Sequence, residues 1–213
     1  MQRDKIVSEH DVVYRTPPRV WPDGLPLGNG SLGALAYALF HPEWLINKND
    51  VWDYRSPEFD RYSPAEIERI KREEEDFIPT MNEENVSGLE DYPCPKSCGT
   101  LRLRFGHKSI YAPPHRVSKR LRLHDGTLET HLDKHLSHPR ISSFIHADEN
   151  LLCVRVEDVS CMVAFHNCVE LVRFRDAMLP EPQAAAARDL IWIKQAFPDA
   201  LSYVMLARGV PRS

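Results

Sequence analysis

Apolar and polar residues alternate with a period of two through most of the second half of the chain, which predicts strands rather than helices. Strands are expected over Leu101 to Phe105, Val117 to Leu123, Thr127 to Leu132, Ile141 to His146, Leu151 to Val156, Met162 to Cys168, Leu190 to Ala196 and Tyr203 to Ala207. His124-Asp125-Gly126, Ala147-Asp148-Glu149-Asn150 and Pro198-Asp199-Ala200 supply turns between them. Ala34 to Phe40 alternates small with large, which suits a pleated strand and leaves a short helix as the other reading. Helical spacing is clearest over residues 64 to 77, where Ser63 can cap, Pro64 suits the first helical position and Glu66 completes a capping box. Its apolar stripe, Ile67, Ile70 and Phe77, is thin, so this is read as a surface helix. Pro79 to Pro95 reads as a long polar loop. Leu179 to Arg188 reads as a loop or short helix, because its alanines favour helix while Pro180 and Pro182 confine it. Many short strands with one helix predict a mainly β fold, an antiparallel β-sandwich.

Composition narrows the function classes. A chain of 213 residues with 42% hydrophobic and 27% charged residues has the make-up of a folded domain rather than a disordered one. Its formal net charge of −4 argues against nucleic acid as a partner, since a phosphate-backbone binder would be basic. No apolar run is long enough for a transmembrane helix, so no membrane partner is expected, and Met1-Gln2-Arg3-Asp4-Lys5 leads into no apolar signal core. Localisation is cytoplasmic by default.

Cysteine and histidine spacing implies no metal or cofactor. Cys94 and Cys98 form a C-x3-C pair, and Cys153, Cys161 and Cys168 follow at intervals that match no zinc or redox pattern. An odd count of five favours free thiols, with a Cys94–Cys98 disulfide as the minority reading. His131, His135 and His138 would share a face only on a helix, but the alternation across Thr127 to Leu132 predicts a strand, on which His138 falls opposite the other two.

Two signals compete between Trp21 and Arg55. Gly28-Asn29-Gly30-Ser31-Leu32-Gly33 fits the G-x-G-x-x-G dinucleotide pattern, and Asp50 follows at the distance of a ribose-binding acid. The fingerprint needs a buried parallel strand before it and a helix after it. Pro22-Asp23-Gly24-Leu25-Pro26-Leu27 excludes a central strand, and the alternation after Gly33 favours another strand over a helix. The glycines are therefore expected to turn a tight loop between strands.

The same residues carry a family resemblance. Leu25-Pro26-Leu27-Gly28-Asn29-Gly30-Ser31-Leu32-Gly33-Ala34, then Ile46-Asn47-Lys48-Asn49-Asp50-Val51-Trp52, resemble the opening of the N-terminal domain of glycoside hydrolase family 95, the α-L-fucosidase family. The second block keeps Asn47 and Trp52, but has Lys48 where that family usually has glutamate, Asn49 where it has aspartate and Asp50 where it has a small hydroxyl residue. Cys98 to Phe105 and the hairpin from Arg120 to Leu132 resemble its following strands more weakly, so roughly residues 10 to 208 read as one domain. The resemblance implies a galactose-mutarotase-like β-supersandwich preceding an (α/α)6 barrel that carries the catalytic acid and base. The barrel needs far more residues than these 213, so the expectation is an incomplete N-terminal domain without catalytic residues of its own.

A sugar presents hydroxyls around an apolar ring face, so a site for one combines an aromatic platform with amides and carboxylates. Asn47, Asn49, Asp50 and Trp52 are such a set and are the candidate substrate-binding residues. In an extended strand Asp50 and Trp52 share one face and Asn47 and Asn49 the other, so all four line one pocket only if the segment bends. Trp52 reads equally well as a core aromatic, and Asn29 as a residue tolerating left-handed backbone angles. Two functions follow: the non-catalytic domain of a glycoside hydrolase, with carbohydrate as partner through the barrel, or a stand-alone carbohydrate-binding or interaction module. A free-standing hydrolase is a third, weaker reading, since carboxylate pairs such as Glu43 and Asp53 occur in any acidic chain.

Overall fold

The computed structural model describes residues 6–16, 18, 21–37, 41–53, 94–104, 116–133, 138–157, 169–172, 179–197 and 201–210. Along the chain come β1 (Val12–Tyr14), a 3-10 turn (Trp21–Asp23), β2 (Leu25–Gly28), β3 (Leu32–Tyr37), β4 (Glu43–Asp53), β5 (Cys94–Leu103) and β6 (Arg116–Arg122). There follow β7 (Thr127–Asp133), β8 (Arg140–Ile145), β9 (Leu152–Glu157), β10 (Val169–Val172), β11 (Gln183–Ala186), β12 (Leu190–Ala196) and β13 (Ser202–Arg208). They form three antiparallel sheets, in the orders β1-β6-β7-β8-β9, β10-β5-β4-β3-β2 and β11-β12-β13. The fold is mainly β and sandwich-like, as the period-two pattern predicts.

The first two sheets face one another across the core. Leu25 and Leu27 of β2 lie beside Ala36 and Ala34 of β3, which lie in turn beside Trp44 and Ile46 of β4. A column of alanines between leucines and a tryptophan lets small and large side chains interlock, and all six are buried. They belong to the same apolar cluster as Val117 and Leu121 of β6, Leu128 and Leu132 of β7 and Ile141 of β8. Trp44 is 2% exposed, and its indole N–H donates to the buried Ser143 hydroxyl of β8 at 3.2 Å, a polar bond joining the two sheets.

The third sheet joins this core through Phe197, which is buried in it, and through Leu201, Tyr203 and Met205, which pack against it. The Tyr203 hydroxyl donates to the Cys98 carbonyl of β5 at 2.8 Å. Gln195, fully buried, donates to the carbonyls of Pro180 and Ala196 at 3.0 and 2.7 Å, so a polar side chain is accommodated without an unpaired amide N–H group.

Three local readings change. Leu25 to Gly28 is a strand rather than a loop, but it is an edge strand, where Pro26 removes no ladder donor that a second neighbour needs. Gln183 to Ala186, expected as loop or helix, is strand β11, because pairing with Ile191 to Lys194 of β12 overrides the helical preference of alanine. β5 begins at Cys94, inside the region expected to be loop, and β10 follows the expected Met162 to Cys168 strand. That strand and the helix at 64 to 77 lie outside the described residues.

Candidate functional site

The glycine run is a hairpin corner. β2 and β3 pair antiparallel with Gly28 opposite Gly33, and the Asn29 N–H donates to the Leu32 carbonyl at 3.1 Å, leaving Gly30-Ser31 as a two-residue turn. Gly30 has φ 89°, the positive value that the first central position of a primed turn can require. No parallel strand feeds the glycines and no helix leaves them, so a pyrophosphate would meet no helix N-terminus here.

Asn29 works through its side chain. Its Oδ1 accepts from the N–H groups of Ser31 and Leu32 at 2.9 and 2.8 Å, closing the turn. Its Nδ2 donates to the carbonyls of His146 and Glu149 at 2.9 and 3.1 Å. One amide thus fastens the corner of the second sheet to the β8–β9 turn of the first, and the left-handed angle falls on Gly30 instead.

The neighbouring stretch of β4 leaves its ladder. Ile46 pairs with Gly99 and Asn47 with Ser97, so Cys98 is extra on β5; Trp52 then pairs with Pro95, so Lys48 to Val51 stand against Lys96 alone. Gly99, at φ 130°, absorbs the first irregularity, and the Ser97 hydroxyl repairs it by donating to the Ile46 carbonyl and accepting from the Gly99 N–H at 3.1 and 3.2 Å. The second irregularity carries Asn49 and Asp50 into solvent while Val51 returns to the core.

These contacts place the four candidate residues. Asn47 is half-buried and faces Gly33 in the ladder. Asn49 is exposed; its backbone N–H donates to the Ser31 carbonyl at 3.0 Å and its Nδ2 to the Gly30 carbonyl at 3.2 Å, which staples the bulge to the glycine corner. The half-buried Trp52 donates its indole N–H to the Asn49 carbonyl at 2.7 Å. Asp50, with a side chain 67% exposed, is paired with Lys48 at 2.5 Å. The segment therefore bends as a shared site requires, and it brings Asn49, Asp50 and Trp52 into one bulge beside the glycine corner, with Asn47 at its root. Beneath it lies Cys98, a buried free thiol whose pKa burial pushes up to about 11.

Pattern reading missed three further features. On β3, β4, β5 and β10, Tyr37, Glu43, Arg102 and Glu170 stand opposite one another in a row. Arg102 bridges Glu43 and Glu170 at 2.5 and 3.2 Å, and Arg104 adds a 2.6 Å contact to Glu170. Burial first, then the negative charge of Glu43, raises the Tyr37 pKa. Glu43 is thus an ion-paired carboxylate, shared with Arg102 across the β4–β5 ladder.

The second feature is Lys119, 3% exposed on β6, whose Nζ donates to the Tyr37 carbonyl at 3.4 Å and whose pKa burial pushes down to about 8. The signal was present in the sequence, since Lys119 has the parity of the inward-facing Val117 and Leu121. The third is an open groove of about 420 Å³ on the first sheet, lined by residues that include Glu9, Asp11, Arg120, Glu129 and His131. Arg120 is paired with Asp11 there at 2.7 Å, and Arg122 with Glu129 at 3.1 Å. His131 lies on β7 and His138 before β8, while His135 falls outside the described residues; among the described residues no three metal-ligating side chains converge.

No known family model matches the chain, and no curated protein matches it. No helix among the described residues is long and apolar enough to cross a membrane.

Proposed function

We propose that this chain is the non-catalytic N-terminal β-domain of a glycoside hydrolase resembling the α-L-fucosidases, which shapes a sugar site while a separate barrel domain supplies the catalytic acid and base. The observation that carries the reading is the joining of the two resembled sequence blocks: Asn49, from the second, bonds the Gly30 and Ser31 carbonyls of the first. Their residue types would be explained by one shared corner, whose bulge carries both the exposed Asp50 carboxylate and the half-buried Trp52. A carboxylate beside an aromatic face is the pairing that grips a sugar's hydroxyls and its apolar face together. In this reading Asn47 and Asn49 hold the bulge in shape and Asp50 and Trp52 meet the sugar.

Saturation-transfer NMR with methyl α-L-fucoside at about 10 mM, a range suited to weak sugar contacts, tests the proposal. The expected result is transfer to the sugar that is lost in Asp50→Asn and Trp52→Leu, with no hydrolysis of aryl α-L-fucosides by residues 1 to 213. Absence of transfer from any monosaccharide would remove the sugar site, and turnover above buffer would remove the non-catalytic role.

A further inference from the structure

The six sheet edges among the described residues are not alike. β1 has three residues; β2, β10 and β11 have four each, β2 containing Pro26 and β11 following Pro180 and Pro182. β9 has six residues but carries the charged pair Arg155 and Glu157. Short length, proline and charge are the devices by which edge strands are kept from pairing with another chain.

β13 has none of them until its last residue. It runs seven residues, Ser202-Tyr203-Val204-Met205-Leu206-Ala207-Arg208, and among the described residues it has a strand neighbour, β12, on one side only. Tyr203, Met205 and Ala207 are half-buried toward the molecule, while Val204 and Leu206 project outward at 57% and 59% exposure. An edge with no strand beside it among the described residues, together with an apolar face, is the arrangement that strand addition uses.

The sequence of β13 favours a second copy of itself. Antiparallel pairing about a two-fold axis at Met205 would set Val204 opposite Leu206, Tyr203 opposite Ala207 and Ser202 opposite Arg208, each in both directions. Every outward apolar side chain then meets an apolar one, the large ring meets the smallest side chain, and Arg208 meets a serine rather than another arginine. Shifting the axis by one residue opposes Arg208 to an apolar side chain and shortens the overlap. Across the seam Trp192, which lies beside Leu206 on β12, extends the apolar row.

We propose that β13 is a homodimer interface, joining two three-stranded sheets into one six-stranded antiparallel sheet with its two-fold axis at Met205. The inference is independent of the sugar-site reading.

Sedimentation equilibrium of the purified chain up to about 100 µM tests it, because a strand-edge dimer obeys mass action. The expected result is a reversible dimer for the wild type and a monomer for Leu206→Lys, whose side chain already faces solvent, with unchanged far-ultraviolet circular dichroism. Met205→Cys then fixes the register: its thiol meets its own counterpart on the axis, within disulfide reach, whereas the thiol of Ala207→Cys would lie roughly 13 Å from its counterpart. Rapid cross-linking of Met205→Cys but not Ala207→Cys under mild oxidation supports the proposal. A wild type that stays monomeric across this range overturns it. So does a dimer that survives Leu206→Lys, or equal cross-linking at the two positions.

Discussion

Asn29 and Lys119 show how differently two polar side chains that bond the backbone of the other sheet can act. Asn29 satisfies four backbone groups and spans two sheets, so Asn29→Ala is expected to lower stability by about 1–3 kcal/mol, more than an ordinary hydrogen-bond deletion, read from the urea midpoint. Asn29→Asp keeps the acceptor that closes the turn and loses both donors to the β8–β9 turn, and should fall between. Lys119 is costly instead. Its pKa is pushed down from 10.5 to about 8, so below pH 8 it is charged in both folded and unfolded chains and its burial penalty is fully present. Between pH 8 and 10.5 the folded protein releases the proton first and the unfolded chain holds more protons, so stability rises with pH across that window. The depression corresponds to a penalty on the order of 3 kcal/mol. Lys119→Met should therefore stabilise the protein at pH 7 by about 1–3 kcal/mol, allowing for the lost bond to the Tyr37 carbonyl. The variant should also lose the rise between pH 8 and 10.5, measured as the difference between the two urea-midpoint profiles.

At the scale of elements, β1 is short and is held partly by charge. Asp11, just before it, accepts from the Leu123 N–H at 3.0 Å and pairs with Arg120 on β6. The Leu123 N–H first, and then Arg120, hold its carboxyl below the usual range against the opposing effect of burial. A carboxylate with a lowered pKa adds stability above its unfolded value of about 4 and loses it as pH falls through the folded value. Hydrogen exchange of the Val12 to Tyr14 amides should accelerate selectively below about pH 4. Asp11→Asn should show that acceleration already at neutral pH. If β1 protection is indifferent to this substitution, the charge contact does not hold the strand.

The whole molecule depends on polar bonds that cross between sheets within an apolar core. Ser143→Ala leaves the Trp44 indole N–H buried without its acceptor and should cost about 1–3 kcal/mol, measured by urea unfolding. The enclosed Cys98 thiol, at 4% exposure and with its pKa near 11, should react with a disulfide reagent only on global unfolding. The half-buried Cys153 on edge strand β9 should react faster. Equal rates would mean that the second sheet opens locally at β5.

Much of this was legible along the chain because a strand writes its two faces into alternate residues. β7, β8, β9, β12 and β13 fall within one residue of their predicted limits, and the inward parity of Val117, Lys119 and Leu121 is plain in the sequence. The rejection of a dinucleotide fold followed from local chemistry too, since prolines before the glycines forbid a central strand. Alternation along the chain is thus enough for the secondary-structure class and for the side on which most residues fall. Which strands neighbour one another is set by packing, and with it the strand state of Gln183 to Ala186, the departure of Lys48 to Val51 from the β5 ladder and the clamp from Asn29 to His146 and Glu149. These rest on partners far away in sequence. An alternation pattern records how each residue relates to its immediate neighbours, whereas a bulge, a cross-sheet hydrogen bond or the burial of a lysine is set by what the rest of the chain packs against it.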